Sequence, residues 1–281
     1  MSGLPVLLGG VDFGEGPRWH DGRLWFSDFH QHSVSSIGDD GERHVELELD
    51  DAPSGLGWLP DGRLLVVAMA SRQVLRVEPD GSLAVHADLS PVATGDCNDM
   101  VVAADGTAYV GNFGYDFTTG EDRRPAALAR VAPDGEVSVA ADGLEFPNGT
   151  VITPDGTTLI VGETFGRRAT AFTVAPDGTL HDRRLWADLG EVLPDGCTLD
   201  AEGAIWFADA RSSTVVRVRE GGEVTERIDA GQRTFACALG GDDGRTLFVV
   251  CADSARDGEV AGSSSGTIRT VRVDVPHAGL P

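Results

Sequence analysis

The sequence predicts an all-β protein, a six-bladed β-propeller with four antiparallel strands per blade. Three observations lead there. An acidic residue runs into Gly and then into an apolar strand six times, at Asp21-Gly22, Asp61-Gly62, Asp105-Gly106, Asp155-Gly156, Glu202-Gly203 and Asp243-Gly244. Those glycines lie 40, 44, 50, 47 and 41 residues apart, a period that marks propellers and solenoids. A second turn recurs inside the units, at Asp40-Gly41, Asp80-Gly81, Asp134-Gly135, Asp177-Gly178 and Gly221-Gly222. Two hairpins per repeat make four strands, which is one propeller blade.

In chain order, the segment Val6-Leu7-Leu8 precedes the first repeat. It is expected to supply the outer strand that the last repeat lacks, because that repeat has no second Asp-Gly turn and ends at Ile268-Arg269-Thr270-Val271-Arg272-Val273. The strands after the first turns are Leu24-Trp25-Phe26, Leu64-Leu65-Val66-Val67, Ala108-Tyr109-Val110, Leu159-Ile160-Val161, Ile205-Trp206-Phe207 and Leu247-Phe248-Val249-Val250. Gly suits each hairpin turn because it takes positive φ without a Cβ clash. Residues 1–281 are expected to form a single domain, since no linker interrupts the repeats. A pair of sandwiches would not keep register over six copies.

The formal net charge is −23. Such a field repels phosphate backbones and anionic lipid, so neither nucleic acid nor membrane is an expected partner. The start, Met1-Ser2-Gly3-Leu4-Pro5-Val6, carries no basic segment and no long apolar run, which argues against a signal peptide, and no stretch is long enough to span a bilayer. A cytoplasmic location is expected. The four cysteines, Cys97, Cys197, Cys237 and Cys251, lack metal-binding spacing and are expected as buried thiols. Nothing indicates the oligomeric state.

In a propeller the innermost strands line a central channel, and ligands bind at its mouth. Counting eight positions back from each first-turn glycine gives Gly14, Ser54, Asn98, Asn148, Asp195 and Ala236. One residue of slack in blade one replaces Gly14 with Glu15. Equivalent positions around a pseudo-symmetric axis converge, so Glu15, Asn98, Asn148 and Asp195 are expected to meet, with Ser54 and Ala236 filling the other sectors. Pro and Gly flank them in Gly14-Glu15-Gly16-Pro17, Pro147-Asn148-Gly149 and Pro194-Asp195-Gly196, fixing bent backbone that aims the side chain. Asp195-Gly196 stands outside the register of the hairpin turns. Two carboxylates and two amides are all oxygen donors and suit one hard divalent cation, Ca²⁺ first, with Mg²⁺ and Mn²⁺ as alternatives and Zn²⁺ able to enter.

At these residues the chain resembles the regucalcin–gluconolactonase family of six-bladed propellers. The segments that carry the resemblance are Glu15-Gly16-Pro17-Arg18-Trp19, Asn98-Asp99, Phe146-Pro147-Asn148-Gly149 and Pro194-Asp195-Gly196. It implies that Glu15, Asn148 and Asp195 ligate the metal and that Asn98 contacts substrate or completes the metal shell. The reaction it implies is hydrolysis of a lactone or related ester, with Asp195 taking the proton of the attacking water. Family members acting on sugar lactones usually carry Arg two residues before the Asn of blade three; here that position is Asp96. The loss of this cation argues against a sugar lactone and places Asp96 beside the substrate.

The longest gap between turns holds Phe113, Tyr115 and Phe117, a loop expected to lie over the channel mouth, with Tyr115 toward the substrate. Arg167 and Arg168 follow the strand of blade four and are expected mainly at the surface. The seven histidines fall outside the inner-strand register, although His30 and His32 follow Ser27-Asp28 toward the mouth. No Gly-x-Ser-x-Gly nucleophile elbow is present. A calcium-binding or scaffold propeller without turnover, and a strictosidine-synthase-like enzyme, are the competing readings.

Overall fold

Each Asp-Gly turn has a backbone reason. Gly62 takes φ +86° and donates its N–H to Leu59 O at 2.8 Å, while Asp61 Oδ1 accepts the N–H of Arg63 at 3.1 Å. The Asp thus caps the amide two residues on, and Gly occupies the left-handed position that ends the turn. The same carboxylate-to-amide bond recurs at Asp80, Asp105, Asp134, Asp155, Asp177 and Asp243. Blade one differs: both Asp21 (φ +48°) and Gly22 (φ +74°) are left-handed, a tight two-residue turn.

The computed structural model of the chain describes residues 3–38, 40–116 and 119–281. It opens with β1 (Val6–Val11). Blade one follows as β2 (Gly14–His20), β3 (Arg23–Asp28), β4 (Ser33–Ile37) and β5 (Arg43–Glu48), and blade two as β6 (Pro53–Trp58), β7 (Leu64–Ala68), β8 (Gln73–Val77) and β9 (Leu83–Asp88). Blade three is β10 (Cys97–Val102), β11 (Ala108–Asn112), β12 (Ala126–Val131) and β13 (Val137–Leu144); blade four is β14 (Pro147–Ile152), β15 (Thr158–Glu163), β16 (Arg168–Val174) and β17 (Leu180–Asp188). Blade five is β18 (Pro194–Leu199), β19 (Ile205–Asp209), β20 (Thr214–Val218) and β21 (Val224–Asp229). Blade six is β22 (Thr234–Gly240), β23 (Thr246–Cys251) and β24 (Gly266–Arg272), with a short helix α1 (Asp257–Val260) before β24. Every sheet has four strands, and the sixth takes β1 as its outer one. The expected closure by Val6-Leu7-Leu8 is therefore present: Val6 pairs with Arg269 and Leu8 with Ile268.

The apolar core is divided into layers between neighbouring blades. Leu56 and Val66 pack on Val34 between blades one and two, Met100 and Val110 on Leu65 and Val67 between two and three, and Val161 and Phe172 on Tyr109 and Leu128 between three and four. Phe207 with Ile160, Leu247 with Trp206, and Phe26 with Phe248 fill the remaining three. Each blade is apolar on both faces, so neither half of the ring buries its surface alone.

Glycine sets how close the inner strands come. A Cβ on Gly55 would lie 2.4 Å from Met100 N, one on Gly149 2.4 Å from Asp195 O, and one on Gly196 2.6 Å from Ala236 Cβ. At one end of the channel the chain after β24 crosses the hairpin turns. His277 N donates to Gly244 O, Ala278 N to Leu199 O, and Leu280 exchanges hydrogen bonds with Ile152. Leu280 and Pro281 line a pocket there together with Arg18 and Trp19. Among the described residues no helix is long and apolar enough to cross a membrane.

Gly149→Ala is expected to lower unfolding stability by about 1–3 kcal/mol through overpacking of backbone that cannot retreat. Gly9→Ala, where a Cβ meets nothing within 4 Å, should change it little. Urea denaturation of both variants checks this; equal stabilities would show that the inner strands are free to move apart.

Candidate active site

The open end of the channel is built by a defect repeated in every inner strand. Gly14 pairs with Asp28, Pro53 with Ala68, Cys97 with Asn112, Pro147 with Glu163 and Pro194 with Asp209. The ladder then shifts register before pairing resumes at Arg18, Leu56, Met100, Thr150 and Cys197. Such bulges turn side chains out of the pleat. Those next to or inside the shift are Glu15, Ser54, Asn98, Asn148 and Asp195. In blade one His20 pairs with Arg23 directly across the turn, whereas in blade three Val102 pairs with Ala108 across a longer one. The shorter turn displaces the count in blade one, but Glu15 stands three residues before the pairing that resumes at Arg18, whereas Asn98 stands two before Met100, so Glu15 enters the site from one residue ahead of the position that Asn98 fills in blade three.

Glu15, Asn98, Asn148 and Asp195 all line one cavity of about 280 Å³. They retain 5%, 5%, 3% and 8% of their exposure. Asn148 Nδ2 donates to Asp195 Oδ1 at 2.5 Å and to Thr164 Oγ1 at 3.3 Å, and Thr164 in turn donates to Pro194 O at 2.7 Å. Ser54 Oγ reaches Asn98 Oδ1 at 3.4 Å. Ser54 is buried beside the set, as expected, but Ala236 is not in it. Blade six shifts register between Thr234 and Ala236, so Phe235 lines the cavity, while Ala236 packs against Phe248 and Val250.

Burial pushes the Glu15 carboxyl well above the usual range, and the neighbouring Asp195 and Asp99 push it further. Burial raises Asp195 to about 7; the Asn148 amide offsets part of this and Asp99 adds to it. Asp99 itself has a partner, since Arg18 Nη2 meets its Oδ1 at 2.5 Å and also donates to Met100 O at 2.7 Å. Arg18 Nε donates to Leu56 O at 3.1 Å, so this buried ion pair ties blades one, two and three together. Each charge requires the other once both are buried, and spacing alone does not pair them.

The mouth is held by acids and an amide at the ends of the second strands. Asp28 accepts the N–H groups of Asp12, Phe13, His30 and Gln31. Asp209 accepts those of Leu193 and Arg211, Glu163 that of Glu145, and Asn112 that of Gly114. Glu163 also takes Arg168 at 2.8 and 2.7 Å. Burial opposes ionisation of Glu163, but these donors prevail and its carboxyl is held below the usual range.

Two aromatic clusters wall the cavity. Phe13 lies 4.7 Å from Phe235 and 5.3 Å from Phe29, between blades six and one. Across the ring, Phe146 stacks on Phe113 at 4.5 Å and meets Phe165 edge-on at 4.8 Å. Phe146 has φ +63°, a costly conformation for a bulky residue. Asp96 lines the cavity, and burial, then Asp116, raises its carboxyl. Tyr115, expected at the substrate, is buried behind Phe146 at 6.3 Å and is not among the lining residues; Phe113 occupies that place. Phe117 lies outside the described residues.

Arg167 faces Glu191 at 3.6 Å and neither it nor Arg168 lines the cavity. The cation there is Arg233, at the threshold of β22, whose Nε donates to Ala210 O at 2.6 Å. His30 also lines it, 3.6 Å from Asp257. Neither falls at an inner-strand repeat position; His30 lies where its place after Ser27-Asp28 suggested, His32 does not line the cavity, and nothing in the spacing reveals Arg233. All four cysteines are free and buried, and burial pushes the Cys97 thiol up to about 12. Among the described residues no three His, Cys, Asp or Glu side chains form a metal-ligating cluster; the axial set consists of two carboxylates and two amides.

The chain is 28% identical to a pentonolactonase of Haloferax volcanii over 95% of its length and 92% of that protein. It is 24% identical to a gluconolactonase of Zymomonas mobilis over 88% of its length and 78% of that protein. Its fold matches the structure of a calcium-binding regucalcin from Agrobacterium tumefaciens with a TM-score of 0.84 at 23% identity, covering 100% of this chain and 96% of the other. With residues 13–253 matching the SMP-30/gluconolactonase/LRE-like region, the chain belongs to that family.

Proposed function

We propose that the protein hydrolyses a lactone or related small ester at the open end of the channel, using one divalent cation held by Glu15, Asn148 and Asp195. The observation that carries this is an unbalanced site. Two buried carboxylates face the same cavity without an ion-pair partner among the described residues, and Asn148 Oδ1 is buried there without a hydrogen bond. Buried like charges and an orphaned acceptor are each costly; a hard cation shared by those oxygens satisfies all three. Ca²⁺ fits first, with Mg²⁺, Mn²⁺ and Zn²⁺ as competitors. The relatives named as lactonases support the same reading.

Bound there, a divalent cation supplies Lewis-acid polarisation of a carbonyl and acidifies a coordinated water. The residues of the chain supply the rest. Asn98 presents an amide to the substrate from blade three. Asp195 has a second carboxylate oxygen beyond the one that meets Asn148, and it accepts a proton from the attacking water. Water adds to the acyl carbon, the acyl–oxygen bond breaks, and that proton passes to the departing alkoxide, leaving a hydroxy acid. Thr164 orients the Asn148 amide and thereby Asp195.

Divalent cation is expected to stabilise the fold, by about 2.7 kcal/mol at a hundredfold excess over Kd. Glu15→Gln should remove most of that response while raising the stability of the cation-free protein, because it removes a carboxyl whose ionisation is opposed first by burial and then by Asp195 and Asp99. Thermal unfolding with and without chelator checks both signs, and an unchanged response in the variant removes Glu15 from the ligand set.

A pH-indicator assay over γ- and δ-lactones should show acid release that chelator abolishes and Asp195→Ala lowers by at least about 100-fold, the low end for a general base. Near-full turnover by that variant would end its role as base. Cation binding with no release from any ester would leave a binding propeller instead.

A further inference from the structure

We infer that the cavity is shaped for a neutral lactone bearing an apolar, ring-sized substituent, and not for a polyhydroxylated sugar lactone. This rests on the hydrolase reading above and names the substrate class for the same site.

Polar residues line the cavity from several blades, Glu15, Asn98, Asn148 and Asp195 among them, and between them stand phenyl rings from opposite sectors of the ring. Phe13, Phe29 and Phe235 form one wall, and Phe113, Phe146 and Phe165 the other. A phenyl face offers no conventional donor or acceptor. A sugar lactone has hydroxyls around its ring, so seating it between two such walls strips water from hydroxyls without replacement. Each such loss costs on the order of 1–3 kcal/mol. An alkyl or aryl arm in the same slot gains by burial instead, and an aryl ring also gains by offset or edge-on packing.

The walls are held in place. Phe146 keeps a left-handed backbone, with its carbonyl accepting from Thr164 N at 3.1 Å and Glu145 before it bonded to Glu163. Strain of this kind persists where the surroundings over-determine a position. The Arg123 guanidinium lies 3.7 Å from the centroid of the Phe165 ring, a cation–π contact that holds this member of the cluster. Phe13 and Phe29 are joined through Phe29 N to Phe13 O at 3.0 Å, and Asp28 anchors both segments. The remaining polar side chains are partly committed: Thr164 to Pro194 and Asn148, Arg233 to Ala210, His30 beside Asp257. Asp96 and Asp257 add negative charge at the mouth of a chain with net charge −23, which disfavours phosphorylated or sulfonated substrates. A cavity of about 280 Å³ sits at the small end for ligand sites, enough for a monocyclic lactone with one arm.

The test compares kcat/KM for δ-valerolactone, its 6-phenyl and 6-hexyl derivatives, and glucono-1,5-lactone, with saturating cation. The substituted lactones should exceed gluconolactone by at least about tenfold. Phe113→Ala and Phe29→Ala, one from each wall and both partly exposed, should each cut the ratio of phenyl-substituted to parent lactone about tenfold, with thermal unfolding confirming that they fold. Gluconolactone matching or beating the apolar lactones overturns the inference while leaving the hydrolase reading intact, as does a ratio unmoved in both variants. If wild-type protein turns over none of them, the hydrolase reading fails, and calorimetry with the non-hydrolysable 6-phenyl lactam decides the cavity preference. Binding that is weakened in Phe113→Ala, with no binding of gluconolactam, upholds it. No binding of the phenyl lactam, or equal binding of both, overturns it.

Discussion

Six inner strands must approach one axis closely enough for side chains from distant parts of the chain to touch, and that closeness depends on the absence of Cβ atoms. Gly55, Gly149 and Gly196 each follow an axial residue directly, and each receives the backbone or the Cβ of the next blade. The pair Asn148–Asp195 exists because Gly149 lets Asp195 O stand where a methyl group would otherwise be. Blade three breaks the pattern with Asp99, whose carboxylate is taken by Arg18 from two blades away. Where glycine would allow contact by having no side chain, this blade is fastened by an ion pair, and the removal of either partner would leave a buried charge uncompensated.

A second set of constraints turns this close packing into a defined mouth. Loops are ordinarily the softest parts of a fold, yet here their first amides are bonded to Asp28, Asn112, Glu163 and Asp209. Those residues end the second strands, so the loop geometry is referred to the sheet and not to solvent. Blade two uses the same device from a different place: Asp51, ahead of its inner strand, accepts the amides of Ala70 and Ser71. The phenyl rings at the mouth inherit this rigidity, because Phe13, Phe29 and Phe113 sit on or beside the tethered segments.

Much of the architecture was legible because turn chemistry is local. Asp and Gly state their conformations within a few residues, and six copies at a near-constant period leave little choice of fold. The axial set was legible for the same reason, since a fixed offset from a turn selects equivalent strand positions. The errors are instructive in physical terms. Ala236 fails the rule because the register shift in blade six sits closer to the strand start, which hands the axial place to Phe235. Tyr115 and Phe113 cannot be ranked by spacing, because which ring faces the cavity depends on the path of a long loop. His30 and Arg233 come from loops outside the repeat, and Arg18 with Asp99 is a contact between blades whose partners are 81 residues apart.

The apolar walls and the acidic floor are one device. Phenyl rings displace water and lower the local dielectric, so the two carboxylates beneath them repel more strongly and lose more hydration than they would at an open surface. The same environment that makes Glu15 and Asp195 expensive as free anions would strengthen their hold on the cation proposed there. It also strengthens every charge interaction with a reacting carbonyl, because little solvent remains to screen it. Replacing the walls with hydroxyl-binding groups would accommodate a more polar substrate but would bring water and screening with them. On the proposed reading, substrate preference and electrostatic strength are coupled through the six phenyl rings, so that a change in one would not leave the other untouched.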